Sequence, residues 1–150
     1  MTLISLFTRY VIIQTLLLAA AVTQAASSAD IVQAALNNSE RPSEDMVDDS
    51  RRMPLEVLAF AGIEEGMTIL EMEAGTGYYT EILSRTVGSD GSVIMQNPPA
   101  FDSFFGEAVG ARLANNRLSN VTLSRVNFDQ LEAGDNSVDM VTWILGPHEL

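Results

Sequence analysis

The stretch Glu71-Met-Glu73-Ala74-Gly75-Thr-Gly77 is where this sequence could do chemistry. It follows the near-continuous apolar run Met67-Thr-Ile-Leu-Glu-Met72 and precedes Tyr78 to Val87, which reads as a helix. A glycine-containing turn between a strand and a helix lets the backbone approach a ligand closely. The free N–H groups of the helix start then face the ligand's polar end. Two such glycines also serve simply to turn a chain, so the loop alone does not name a ligand. A dinucleotide site would want a small residue three positions after Gly77, where Thr80 stands, and an acid after the next strand, where Gln96-Asn97 stands. Both departures disfavour an NAD(P)-binding oxidoreductase. His148 follows Gly146-Pro147 after the last apolar run. A neutral imidazole there could take a proton from an acceptor; the competing reading is a histidine that caps a loop.

Composition removes several other chemistries. The chain has 150 residues, 20 acidic and 8 basic, with a formal net charge of −12. Every basic residue is arginine, so a Schiff-base lysine and a P-loop are excluded. The absence of cysteine excludes disulfides and thiolate metal sites, and one histidine excludes a multi-histidine metal site. Acidity argues against a nucleic-acid partner, which needs clustered cations.

The loop must be held by regular elements, and from Gly66 onward strand and helix alternate. Strands are expected over 67–72, 92–96, 121–126 and 138–145, and helices over 78–87 and about 101–115. That order means βαβ units and a parallel sheet with right-handed crossovers, so the fold class is α/β. Asn97-Pro-Pro99 reads as a turn. Upstream, Ser43-Glu-Asp45 opens a helix expected to run to about Met53. Pro54 begins a second helix with Leu55, Leu58 and Ala59 on its apolar face, and Gly62 ends it. Residues 26–42 read as a linker or N-terminal arm, with a short helix over 30–36 at most. Glu44, Asp45, Asp48 and Asp49 read as a solvated face on which Asp49 could pair with Arg52. Phe101, Phe104 and Phe105 have the helical spacing of core residues.

Residues 69–80 resemble motif I of class I S-adenosylmethionine-dependent methyltransferases. More narrowly, Asp49 through Leu150 is similar to a group of exported predicted methyltransferases. The likeness rests on Arg52-Met-Pro-Leu-Glu-Val-Leu-Ala-Phe-Ala-Gly62, Gly66-Met67, Leu70-Glu71 with Ala74 to Ser84, Val87-Gly88, Gly91-Ser-Val93, Asp139-Met-Val-Thr142 and His148-Glu-Leu150. It implies a Rossmann-like parallel sheet with flanking helices, of which this chain holds the first four strands, and S-adenosylmethionine as cofactor. Position by position, Glu71 matches the acid that closes the first strand, and Glu73, Ala74, Gly75 and Gly77 lie in the cofactor loop. Asn97 sits where a ribose-contacting residue follows the second strand. Phe128 and Asp129 match the pair that flanks and hydrogen-bonds the adenine. Glu73 stands where the loop usually has its first glycine; its charge either attracts the cofactor's cationic groups or crowds the site.

The resemblance further implies a methyl acceptor, expected to be a small molecule, at the carboxyl edge of the sheet beside His148 as catalytic base. A non-catalytic exported domain that kept the fold is the alternative. Such a sheet usually has seven strands, so residues 43–150 read as the N-terminal part of the domain. The first 25 residues have Arg9, an apolar run from Val11 to Val22, and Thr23-Gln-Ala25, the order of a signal peptide. The run is shorter than the roughly 20 residues of a membrane-spanning helix. An uncleaved anchor is the competing reading. The expectation is an exported protein, periplasmic or secreted, with no stable membrane association after cleavage.

Overall fold

Ile69, Leu70, Val93 and Met95 are all buried, which is why the two central strands read as apolar runs and not as alternations. They lie at the centre of the sheet in the computed structural model of the chain, which describes residues 26–131 and 133–146. Strands β1 (Thr68–Glu71), β2 (Ser92–Gln96), β3 (Val121–Ser124) and β4 (Met140–Thr142) pair in parallel in the order β3-β2-β1-β4. Glu71 is in register with Met95 on one side and Thr142 on the other. After three strands laid down in one direction, the chain returns to the far side of β1. The carboxyl ends of β1 and β4 therefore flank a topological switch point, the place where open parallel sheets take ligands. This is the parallel α/β sheet expected from the alternation, in the Rossmann-like arrangement that the resemblance implies.

The helix after β1, Tyr78–Val87, buries Ile82, Leu83 and Val87 against the sheet. Upstream of β1, the short helix expected at most over 30–36 in the linker or N-terminal arm is present, longer, and packed on the core. Ser28–Leu36 forms a helix, α1, capped by a reciprocal Ser27–Asp30 box. Val32 and Ala35 are buried in the core formed by Pro54–Ala61 and Tyr78–Val87. Two inward residues one turn apart suffice because the cap satisfies the exposed end; apolar content alone understated the segment.

The single helix expected from Ser43 to about Met53 is two short ones, α2 (Ser43–Met46) and α3 (Asp49–Arg52). Met53 precedes a proline, which disfavours the helical region, and it turns into the left-handed one at φ 46°. Pro54–Ala61 (α4) then starts at its proline and stops at left-handed Gly62, as expected. Tyr78–Val87 is α5 and Asp102–Leu113 is α6. A 3-10 turn over Pro99–Phe101 leads into α6.

The acidic face is also corrected. Asp45 is buried and takes both Nη atoms of Arg112, at 2.8 and 2.9 Å. Asp49 pairs with Arg41 and accepts the Tyr78 hydroxyl at 2.6 Å, while Arg52 turns to Asp48 at 3.2 Å. The three phenylalanines are not core: Phe104 is 80% exposed, and Phe101 and Phe105 are half-buried at the rim of a cavity. Among the described residues no helix is long and apolar enough to cross a membrane.

Candidate functional site

The glycine loop is braced from below by two amides. Gln96, fully buried at the end of β2, accepts the Glu73 N–H through Oε1 at 3.0 Å and donates through Nε2 to the Val126 carbonyl at 2.7 Å. Asn97 closes a two-point clasp on Gly75: its Oδ1 accepts the Gly75 N–H and its Nδ2 donates to the Gly75 carbonyl, both at 2.9 Å. An apolar side chain at either position would leave half-buried backbone groups without these partners. Asn97, expected to reach a ribose, thus has both amide ends engaged by the loop.

Arg112 of α6 braces the loop from the side. Its Nε donates to the Thr76 carbonyl at 2.6 Å while its fork holds Asp45 and reaches Glu81 at 3.2 Å. Gly77 is required beneath it. The residue sits at φ 85°, and a Cβ there would lie 2.6 Å from Arg112 Cδ and 3.0 Å from Met95 Cε. Glu81, wholly buried on α5, receives Arg85, Arg112 and Arg117 together. Burial opposes its ionisation, but hydrogen bonds from Arg117 and Arg85 outweigh it and hold the carboxyl below its ordinary range.

Above the loop, at the switch point, lies a cavity of about 570 Å³. Its floor is Glu71 through Thr76; Tyr78, Tyr79 and Arg52 form one wall, Phe101 and Phe105 another, and residues 144–146 the third. Tyr78 and Tyr79 meet edge to face at 5.0 Å, and the Arg52 guanidinium lies 4.6 Å from the Tyr78 ring centre. Two carboxyls and one guanidinium, with aromatic walls, suit a ligand that carries charges of both signs on an apolar body.

Of the residues expected from sequence, Glu71, Glu73, Ala74 and Gly75 line this cavity, Gly77 starts the helix beside it, and Asn97 supports it from beneath. Phe128 and Asp129 sit in a 3-10 turn (Phe128–Gln130) after β3 and do not line it. Phe128 instead touches Trp143, with ring centres 5.4 Å apart. Glu73 takes a left-handed φ of 49°, and its carboxylate accepts the Trp143 indole N–H at 2.7 Å. His148 lies outside the described residues. Sequence reasoning missed Arg112, Gln96, Arg52 and Trp143; a buried amide ending an apolar strand was the one visible signal.

A parallel sheet ordered β3-β2-β1-β4, with a glycine loop at its switch point, is the Rossmann-like fold of class I methyltransferases. More narrowly, the chain belongs to the protein-L-isoaspartate(D-aspartate) O-methyltransferase (PCMT) family, whose model matches residues 43–123, over half of the sequence. Among solved structures it is similar to a SAM-dependent methyltransferase from Aquifex aeolicus at 28% identity, with a TM-score of 0.54 over 68% of this chain and 55% of that one. A protein-L-isoaspartate O-methyltransferase at 21% identity shares the fold, with a TM-score of 0.51 over 59% of this chain and 27% of that one. This chain thus spans about half the length of the Aquifex protein. No curated protein matches it.

Glu71 gives the site a measurable signature. Burial raises its pKa from the usual 4.5 to about 7, against the smaller lowering by the Thr80 hydroxyl, which donates to Oε2, and by Arg112. The folded state therefore keeps this proton after the unfolded chain has lost it. Stability is fullest below about pH 4.5 from this group and falls as pH rises towards 7, by about 3 kcal/mol in all. Glu71→Gln is expected to abolish that decline and to be the more stable protein at pH 8. Urea titrations at pH 5 and pH 8 measure both; a wild-type chain whose glutamine variant shows the same pH slope refutes the assignment.

Proposed function

We propose that this chain binds S-adenosylmethionine over its glycine loop and forms the cofactor-holding part of a methyltransferase. The observation that carries the reading is the charged, aromatic-walled cavity whose floor is the braced loop at the switch point. When bound, S-adenosylmethionine supplies a methyl group activated by its sulfonium. The backbone around Gly75 approaches the amino-acid end, Glu71 and Glu73 face its cationic groups, and Arg52 offers a counter-charge for its carboxylate. Phe128 and Asp129 lie where the nucleoside end would extend, and Thr80, which would obstruct a dinucleotide fingerprint, here donates its hydroxyl to Glu71 Oε2 and holds that carboxyl in place.

The acceptor expected from the sequence is a small molecule, with His148 as its base. The family match favours a second reading, the carboxyl of an altered aspartyl residue in a protein. Methylation of an isoaspartyl peptide, measured beside a panel of small acceptors, separates the two. We also infer export with cleavage from the order of residues 1–25; a mature chain that begins at Ala26 by mass spectrometry supports it, and one that retains Met1 refutes the cleavage and favours the uncleaved anchor.

The cofactor reading is tested by calorimetric titration of S-adenosylhomocysteine. Micromolar binding is expected, weakened at least about tenfold by Gly75→Ala, because alanine resists the left-handed φ of 61° there. Asp129→Ala should weaken it too, and NADH should give no heat. Absence of binding in a folded sample would favour the non-catalytic domain, and NADH binding alone would favour an oxidoreductase.

A further inference from the structure

The switch point between β1 and β4 is crossed by one side-chain hydrogen bond. Trp143, directly after β4, donates its indole N–H to Glu73, two residues beyond β1. The other side of the indole meets Phe128, 5.4 Å away between ring centres. Phe128 follows β3, at the opposite edge of the sheet, so this contact reaches over the ends of β1 and β2. The chain after Trp143 folds tightly against the pair. A Cβ on Gly146 would lie 1.8 Å from Trp143 Nε1 and 2.7 Å from Glu73 Oε2. The cavity borders Glu73 and Gly146 but not Phe128 or Asn97. The indole therefore bridges Glu73, at the edge of the space over the glycine loop, and Phe128 after β3.

A second observation concerns the choice of residue at position 73. A left-handed φ of 49° is strained for glutamate and free for glycine. What glutamate alone adds is the charged acceptor that holds the indole.

We propose that the Glu73–Trp143 hydrogen bond is a latch across the cofactor crevice. A ligand that extends from the glycine loop to Phe128 and Asp129 opens it by moving the indole off Phe128. The freed Glu73 carboxylate then faces the ligand's cationic end. This rests on the cofactor reading above, because only a ligand long enough to span both sides must displace Trp143.

Trp143 is the single tryptophan of the chain, so intrinsic emission reports the latch without a label. The full chain is titrated with S-adenosylhomocysteine and followed by emission and by heat. The emission is expected to change and to saturate with the heat. Trp143→Phe, which keeps an aromatic ring but cannot donate, is expected to bind about three- to tenfold more tightly because no latch has to open. Binding by this variant where the wild type shows none would support the latch equally. Unchanged emission at saturation, or a variant that binds no more tightly, overturns the latch and leaves the cofactor reading intact. No heat from either protein overturns both.

Discussion

The arrangement of the site depends on how the charge of Glu81 is buried. An ionised carboxylate without partners is too costly to bury, and three arginines from two helices and the turn after α6 converge on this one. Each arginine is bonded elsewhere as well. Arg85 reaches Glu40, Arg117 donates to the Glu40 carbonyl, and Arg112 grips Asp45 and the Thr76 carbonyl. Satisfying one buried charge thus fixes α5, α6, the N-terminal segment and the glycine loop in one frame. Arg112 serves three acceptors from three nitrogens at once, a task for a planar fork and not for an ammonium, which accords with a chain whose cations are all arginine.

Glu71 is handled in the opposite way. It is as deeply buried, at the strand end that borders the cavity, but its direct partner is a neutral hydroxyl, and burial raises its pKa where the arginines lower that of Glu81. One carboxyl is held charged as a structural hub, and the other is left near neutrality beside the place where a charged ligand would bind. Perturbed groups of the second kind mark functional sites more often than those of the first, because an unmet charge requirement is one a ligand can meet.

Much of the fold was legible in the sequence because the parallel strands are buried on both faces and bounded by turn residues. Ile69-Leu70 and Val93 with Met95 show as apolar runs, and Gly62, Gly88 and Pro54 mark helix ends. The loop was equally visible, since its glycines lie between a strand and a helix. What stayed hidden depends on contacts distant in sequence. Arg112 and Asp45 are far apart along the chain, and nothing local to Asp45 distinguishes it from a solvated acid. Asn97 was read as a ribose contact after the second strand; that its amide turns to Gly75 is a tertiary fact. Residues 28–36 were undervalued because two buried side chains and a capping box carry the helix. Phe101 and Phe105 have the spacing of core residues yet border a cavity, a distinction periodicity cannot make.

The central claim is that the braced loop is where the cofactor binds. The most direct test is a titration of the isotopically labelled chain with S-adenosylhomocysteine, followed at the backbone amides by NMR. The account predicts that the largest shifts fall on residues 73–77, with smaller ones after β3 and β4. Shifts confined to the surface around Glu44 and Arg117, or none at saturating ligand, would contradict it.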